Sequence, residues 1–150
     1  MTTLRGGCHC GNIDVAFETK LEPGRLQLRA CQCCFCRKHG ARTTSDPRGR
    51  LVVAVREADL LVRYSFALGV TDFLLCRTCG TYVAATMEAG AGLVATVNVN
   101  VIEERAPFMR GAEPVDYFQE TSEERRARRV KAWTPAEVRS SGTVLAQRPA

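Results

Sequence analysis

Hydrophobic and polar positions alternate along much of the chain. In "NIDVAF" Ile13, Val15 and Phe17 fall on one side of the pattern and Asp14 and Ala16 on the other, and "GLVATVNVNVI" sets Leu93, Ala95, Val97, Val99 and Val101 against Val94, Thr96, Asn98 and Asn100. A period of two is the signature of a strand with distinct faces. "LVVAVRE", "LLVRYSFA", "DFLLC" and "TYVAATM" are short β-branched or aromatic runs separated by glycine, aspartate or charged breaks. Together these predict roughly six to eight strands. Helical patterning is scarcer. One short helical turn is expected after Cys36, and "TSEE" at 121–124 is a capping-box pattern that opens a helix running to about Trp133, with Pro135 stopping it. Trp133 is expected to dock that helix on the sheets. "SSGTVLAQRPA" reads as a loose end. The expectation is a mainly β single domain over residues 1–135, with a flexible tail at 136–150.

Length and composition fit one soluble domain: 150 residues, 45% hydrophobic and 25% charged. The start, "MTTLRGGCHCGN", lacks the apolar stretch of a signal peptide, and no segment approaches the roughly 20 apolar residues of a membrane span. The chain is therefore expected in the cytoplasm, with no membrane partner.

The eight cysteines change the picture. Structural disulfides are disfavoured in a reducing compartment, so close and regular cysteine spacing points to metal ligands or redox groups. The cysteines fall into three groups: Cys8 and Cys10 in "CHCG", Cys31, Cys33, Cys34 and Cys36 in "CQCCFC", and Cys76 and Cys79 in "CRTCG". On an extended segment residues i and i+2 project to one face, so C-x-C offers two sulfurs to one ion. A C-x-x-C turn does the same. Gly11 and Gly80, which follow Cys10 and Cys79, permit the positive φ that such a knuckle demands. Thiolate ligands favour zinc over an iron–sulfur cluster here.

Two pairs complete one tetrahedral four-sulfur site. If Cys8, Cys10, Cys76 and Cys79 form it, Cys31, Cys33 and Cys36 remain as three ligands of a second zinc with an open position, and Cys34 is spare. Spacing leaves another partition open, in which Cys8 and Cys10 join Cys33 and Cys36, and Cys31 or Cys34 joins the late pair.

The motifs "GGCHCGNIDVAF", "ACQCCFCRKHGA" and "FLLCRTCGTYV" resemble, in order, spacing and flanking glycine, the glutathione-dependent formaldehyde-activating enzyme family, whose domain also occurs in centromere-associated zinc proteins. The resemblance runs over roughly residues 5–133 and implies a β-tent fold. It also implies a structural zinc on Cys8, Cys10, Cys76 and Cys79 and a catalytic zinc on Cys31, Cys33 and Cys36, two per chain. Gln32 and Cys34 depart from the usual pattern, which often has histidine and serine there. The reaction implied is that of a carbon–sulfur lyase: glutathione condenses with formaldehyde to the hemithioacetal S-(hydroxymethyl)glutathione. The alternative is a non-catalytic zinc-organised module that binds glutathione, an adduct or a protein partner.

The chemistry can also be argued from the ligands. Three thiolates on Zn²⁺ carry net −1, which makes the metal a weaker Lewis acid than one held by neutral histidines. Making hydroxide is not its natural role; it can hold a substrate thiol as thiolate, the nucleophilic form, or alternatively polarise the aldehyde oxygen. Seven ligand thiolates and two divalent ions bring the formal charge of +5 down to about +2, which weakens the case for nucleic-acid binding. "RRARRVK" at 125–131, interleaved with Glu120, Glu123 and Glu124, reads as a solvated helix face. Arg37 and Lys38, directly after Cys36, are candidate partners for glutathione carboxylates. His39 is a candidate proton donor or fourth ligand. His9 should point away from the metal, and Cys34 reads as a packed small side chain. The partners expected are thus a small thiol and a small aldehyde.

Overall fold

The computed structural model describes residues 1–146. The first third of the chain contributes β1 (Thr2–Gly7), β2 (Ile13–Thr19), β3 (Arg29–Cys31), the short helix α1 (Cys34–Lys38) and β4 (Thr43–Thr44). The middle contributes β5 (Arg50–Val55), β6 (Leu61–Tyr64), β7 (Asp72–Cys76), β8 (Tyr82–Ala89) and β9 (Gly92–Asn98). The last part adds β10 (Glu113–Val115), helix α2 (Ser122–Ala132), β11 (Thr134–Ser140) and β12 (Thr143–Val144). The protein is mainly β, as expected. Its strands are nevertheless more numerous than the alternation implied, because β3, β4, β10 and β12 are too short to show a period.

All twelve strands belong to one sheet that forks at β9. On one edge β9 pairs with β8, which leads through β7 to β6. On its other edge the first half of β9 pairs with β11 and its last two residues pair with β4. From β11 the sheet continues to β5, β2 and β1, and from β4 it continues to β3 and β10. The pairings are antiparallel except β5 with β11 and β3 with β10.

The fork creates two cores. The larger gathers Leu4, Ile13, Phe17, Leu51, Val53 and Val138 with Cys8 and Cys76, and the smaller gathers Phe73, Tyr82, Met87 and Trp133 with Cys36. Strand β7 sits between them. Leu74 and Cys76 face the larger core, while Phe73 and Leu75 face the smaller one, as the pleat requires.

Two expectations are corrected. The alternation continuing to Val101 is not one strand: β9 ends at Asn98, whose side chain accepts the Asn100 N–H at 3.2 Å and turns the chain into a 3₁₀ segment over Val99–Val101. The second correction is the tail. Residues from 136 onward form the central strand β11 rather than a flexible end, with Val138 fully buried against the larger core. Pro135 obscured the strand, yet it falls in the stretch where β11 pairs with β9 alone, before pairing with β5 begins at Ala136. The end of the expected tail, 147–150, lies outside the described residues.

Helix α2 starts as the sequence predicts. The Thr121 hydroxyl accepts the Glu124 N–H, and the Glu124 carboxylate accepts the Thr121 N–H. Its far end is tied down twice: the Ser45 hydroxyl donates to the Ala132 carbonyl at 2.8 Å, and Thr134 Oγ1 accepts the Asp46 N–H at 2.8 Å.

Candidate metal centres and the adjoining cavity

The cysteines gather into two clusters. The thiol sulfurs of Cys8, Cys10, Cys76 and Cys79 all lie within 4.8 Å of one another, as do those of Cys31, Cys33 and Cys36. Among the two partitions that spacing allowed, the fold selects the first. None of the eight cysteines forms a disulfide.

The four-cysteine cluster is made from two knuckles. Cys8 follows β1, and the chain turns through Gly11 at φ +84° so that the Cys8 N–H donates to the Ile13 carbonyl at 2.8 Å. Cys76 ends β7, and Gly80 at φ +75° returns the chain so that the Cys76 N–H reaches the Thr81 carbonyl at 3.0 Å. Positive φ is the conformation glycine adopts without strain. Within the cluster Cys8 and Cys10 sulfurs are 3.7 Å apart, and those of Cys10 and Cys76 are 3.4 Å apart. A zinc–sulfur distance of about 2.3 Å in a tetrahedron places sulfurs about 3.8 Å apart, so the donor set fits zinc. His9 is exposed and outside the cluster, as expected.

In the second cluster, Cys31 ends β3 beside Val115 of β10. Cys33 is the N-cap of α1, its sulfur accepting the Cys36 N–H at 3.4 Å, and Cys36 is buried on the first turn. Cys34 lies outside the three-sulfur group and is exposed rather than packed.

Thiols this close compete for protons. A hydrogen bond from Cys36 holds Cys31 down to about 6 against the opposing effect of burial, while that same bond and burial push Cys36 up. Burial also raises Cys33. In the other cluster burial opposes ionisation of Cys79. Its bonds to Thr81, to the Cys10 N–H and to Cys76 nonetheless hold it down to about 5. Cys10, despite an N–H bond from Asn12, is raised to about 12 by Cys76, burial, Cys8 and Cys79. In each cluster one cysteine is thus held down while a neighbour is pushed up, and a divalent cation is what would let such neighbours ionise together.

The three-cysteine cluster borders a cavity. It has a volume of about 490 Å³, and Cys31, Cys33, Cys34 and Cys36 line it, whereas none of Cys8, Cys10, Cys76 or Cys79 does. Volumes of roughly 300–1,000 Å³ hold small-molecule ligands. Phe66, Phe73, Tyr82 and Trp133 supply apolar wall, and Arg29, Arg125, Arg128 and Arg129 supply charge. The Tyr82 phenol stays protonated: burial and then the neighbouring Cys36, Cys31 and Cys33 thiolates raise it well above the usual tyrosine range.

Arg37 and Lys38 are exposed and do not line the cavity, because α1 turns them outward when Cys36 turns inward. His39 is also outside it, its ring packed on Phe35 at 4.4 Å and near Tyr82 at 5.7 Å. The solvated-face reading of α2 fails for three residues. Arg125, Arg128 and Arg129 recur at i, i+3 and i+4, a spacing that puts them on one face, and that face meets the cavity. Tyr82 carried no sequence signal beyond strand propensity. Trp133 docks α2 as expected and also lines the cavity.

Fold and site together define a mainly β protein with two cysteine clusters able to hold metal ions, one of them beside a cavity. The chain belongs to the family described as glutathione-dependent formaldehyde-activating enzyme, whose pattern matches residues 3–118. It is also similar to a Rhodobacter sphaeroides protein of known crystal structure, with 33% identity over 73% of this chain and 97% of that chain and a TM-score of 0.53. No curated protein matches it significantly. Among the described residues no helix is long and apolar enough to cross a membrane.

Proposed function

We propose that this chain is a carbon–sulfur lyase that joins a thiol, glutathione, to a small aldehyde, formaldehyde, in the cavity beside Cys31, Cys33 and Cys36. The observation that carries the reading is the difference between the clusters. Four sulfurs form a complete set outside the lining of this cavity, and three sulfurs form an incomplete set on its wall. In this reading each cluster holds a zinc ion, structural in the first and open in the second. At the second, a zinc held by Cys31, Cys33 and Cys36 would supply an electrophilic centre that lowers the pKa of a thiol at that position.

The chain's own residues supply the rest. Cys31, Cys33 and Cys36 fix that position at one wall, and the aromatic wall of Phe66, Phe73 and Trp133 limits water around it. The thiol proton passes to water. The sulfur lone pair forms the new C–S bond to the aldehyde carbon, the C=O π pair moves to oxygen, and that oxygen takes up a proton. Tyr82, which lines the cavity and is held in its protonated form, is assigned the role of donating to the oxygen as charge develops there. Formaldehyde is small enough to need no pocket of its own beside the thiol. The family description, which names glutathione and formaldehyde, supports this pair of substrates. Thiols add to formaldehyde unaided, so acceleration above the spontaneous rate is the measurable property. Exchange NMR between hydrated formaldehyde and S-(hydroxymethyl)glutathione tests it: protein should speed exchange, and folded Cys33→Ser should not. Equal exchange with and without protein would overturn the lyase and leave a module that only binds.

A further inference from the structure

The cavity is unusually cationic for its size. Four arginines line it against one lining carboxylate, Asp116, while Glu120 stands behind the helix arginines. Two of the four are already engaged. Arg128 makes a bidentate pair with Glu120 at 2.7 and 2.9 Å and lies 3.5 Å over the Tyr117 ring. Arg29 donates to Ser45 at 2.6 Å and to Gln27 at 3.4 Å.

Arg125 and Arg129 retain donors. Arg125 gives one N–H to the Tyr117 carbonyl at 2.9 Å, and its Nε lies 3.7 Å from Glu120 without a hydrogen bond. Arg129 gives one N–H to Thr71, and its guanidinium lies 4.6 Å from the Trp133 ring centre. The Nε atoms of both are buried and have no hydrogen-bond partner among the described residues. Buried guanidinium donors are normally satisfied, and like charges around one void repel, so this arrangement destabilises the protein by itself. An oxyanion in the cavity would offset the repulsion.

Resting on the reading above that the cavity takes a thiol substrate, we propose that Arg125 and Arg129 form the subsite for that substrate's carboxylate. Arg29 and Arg128 add to the positive potential around them. A planar guanidinium fork matches a carboxylate with two parallel hydrogen bonds, as Arg128 already does with Glu120. Both residues lie on α2, beyond residue 118 where the family match ends. On this proposal, selection for an acidic thiol rests on the C-terminal segment of the chain. The closure of that segment into β11 fixes it: Trp133, between α2 and β11, is both buried and the ring on which Arg129 rests.

The test is calorimetric titration with S-methylglutathione and with its dimethyl ester, using the zinc-loaded protein. The thioether cannot add to an aldehyde, so binding is read independently of hemithioacetal formation. The acid should bind about tenfold or more tightly than the ester, the loss expected for charge-assisted hydrogen bonds. Arg125→Gln and Arg129→Gln should each weaken the acid by about that factor and shrink its advantage over the ester. Arg129→Lys, which keeps the charge and loses the fork, should fall between, and it guards against collapse of the Trp133 packing. Far-ultraviolet circular dichroism and zinc content should match wild type in each. Arg37→Ala and Lys38→Ala should leave both affinities unchanged. Equal binding of acid and ester, no binding of either, or loss caused by the Arg37 and Lys38 variants instead would overturn the proposal. Phosphopantetheine is the other arm: tighter, arginine-dependent binding of it would assign the subsite to phosphate and overturn the carboxylate. Arginine-dependent binding of the acid without accelerated exchange would uphold the subsite while removing the lyase reading.

Discussion

Cys8 and Cys10 meet Cys76 and Cys79 across an intervening stretch, 66 positions from Cys10 to Cys76, whereas Cys31, Cys33 and Cys36 meet between one strand end and one helical turn. The ligands are the same, and the consequences for the chain differ. An ion in the first cluster would clamp the turn after β1 to the turn after β7, and both anchoring cysteines sit in the larger core. By loop-closure entropy, tying ends that far apart restrains the unfolded chain more than tying positions 31 to 36, by about 2 kcal/mol. An ion in the second cluster would close only a local loop, but it would lie on the cavity wall. On the proposed reading, one cluster holds the fold and the other meets a substrate.

The largest effect that could break this comparison is Cys76→Ser, which should abolish cooperative unfolding as read by circular dichroism, because the staple between the two hairpins is lost. A cooperative transition within a few degrees of wild type would contradict it. Chelation should separate the clusters next. Titration with a strong zinc chelator should release one ion while secondary structure persists, and the second only with unfolding. Release of both in a single step would erase the distinction. Tyr82→Phe should lower the accelerated exchange rate by about 10- to 100-fold with thiol affinity little changed, since the hydroxyl is assigned to charge that develops only during reaction. An unchanged rate would remove Tyr82 from the chemistry. The smallest effect is Val138→Ala, expected to cost about 1–3 kcal/mol in denaturant unfolding and to leave exchange untouched, because Val138 belongs to the larger core alone. No loss of stability would restore the expectation of a loose tail.

Much of the first cluster was legible before the structure. Chelate spacing and a glycine after each pair are local features, and local features survive translation into three dimensions. The strands around Ile13, Val15 and Phe17 were legible for the same reason, since alternation over six residues states which face is buried. Strand β11 was not, because Pro135, Glu137 and Arg139 dilute its pattern while its burial comes from partners 40 and more positions away in sequence, such as Val94 of β9 and Val53 of β5. The cavity was half legible. Cys31, Cys33 and Cys36 announced one wall, but adjacency in sequence suggested Arg37, Lys38 and His39 for the rest, and a helix turns adjacent residues apart. Arg29, two residues before Cys31, was passed over, and the other three arginines that line the cavity stand about ninety positions further on, on a helix whose acidic neighbours made it resemble a solvated face. Their i, i+3, i+4 recurrence was present, and only the placement of α2 by β11 says what that face meets.

Zinc per chain, measured by elemental analysis on wild type and on Cys36→Ser, tests the central claim most directly. The account predicts close to two ions in wild type and close to one in a Cys36→Ser protein that keeps its fold. One ion in both, or unfolding of Cys36→Ser to the same extent as Cys76→Ser, would contradict the division into a closed structural cluster and an open one at the cavity.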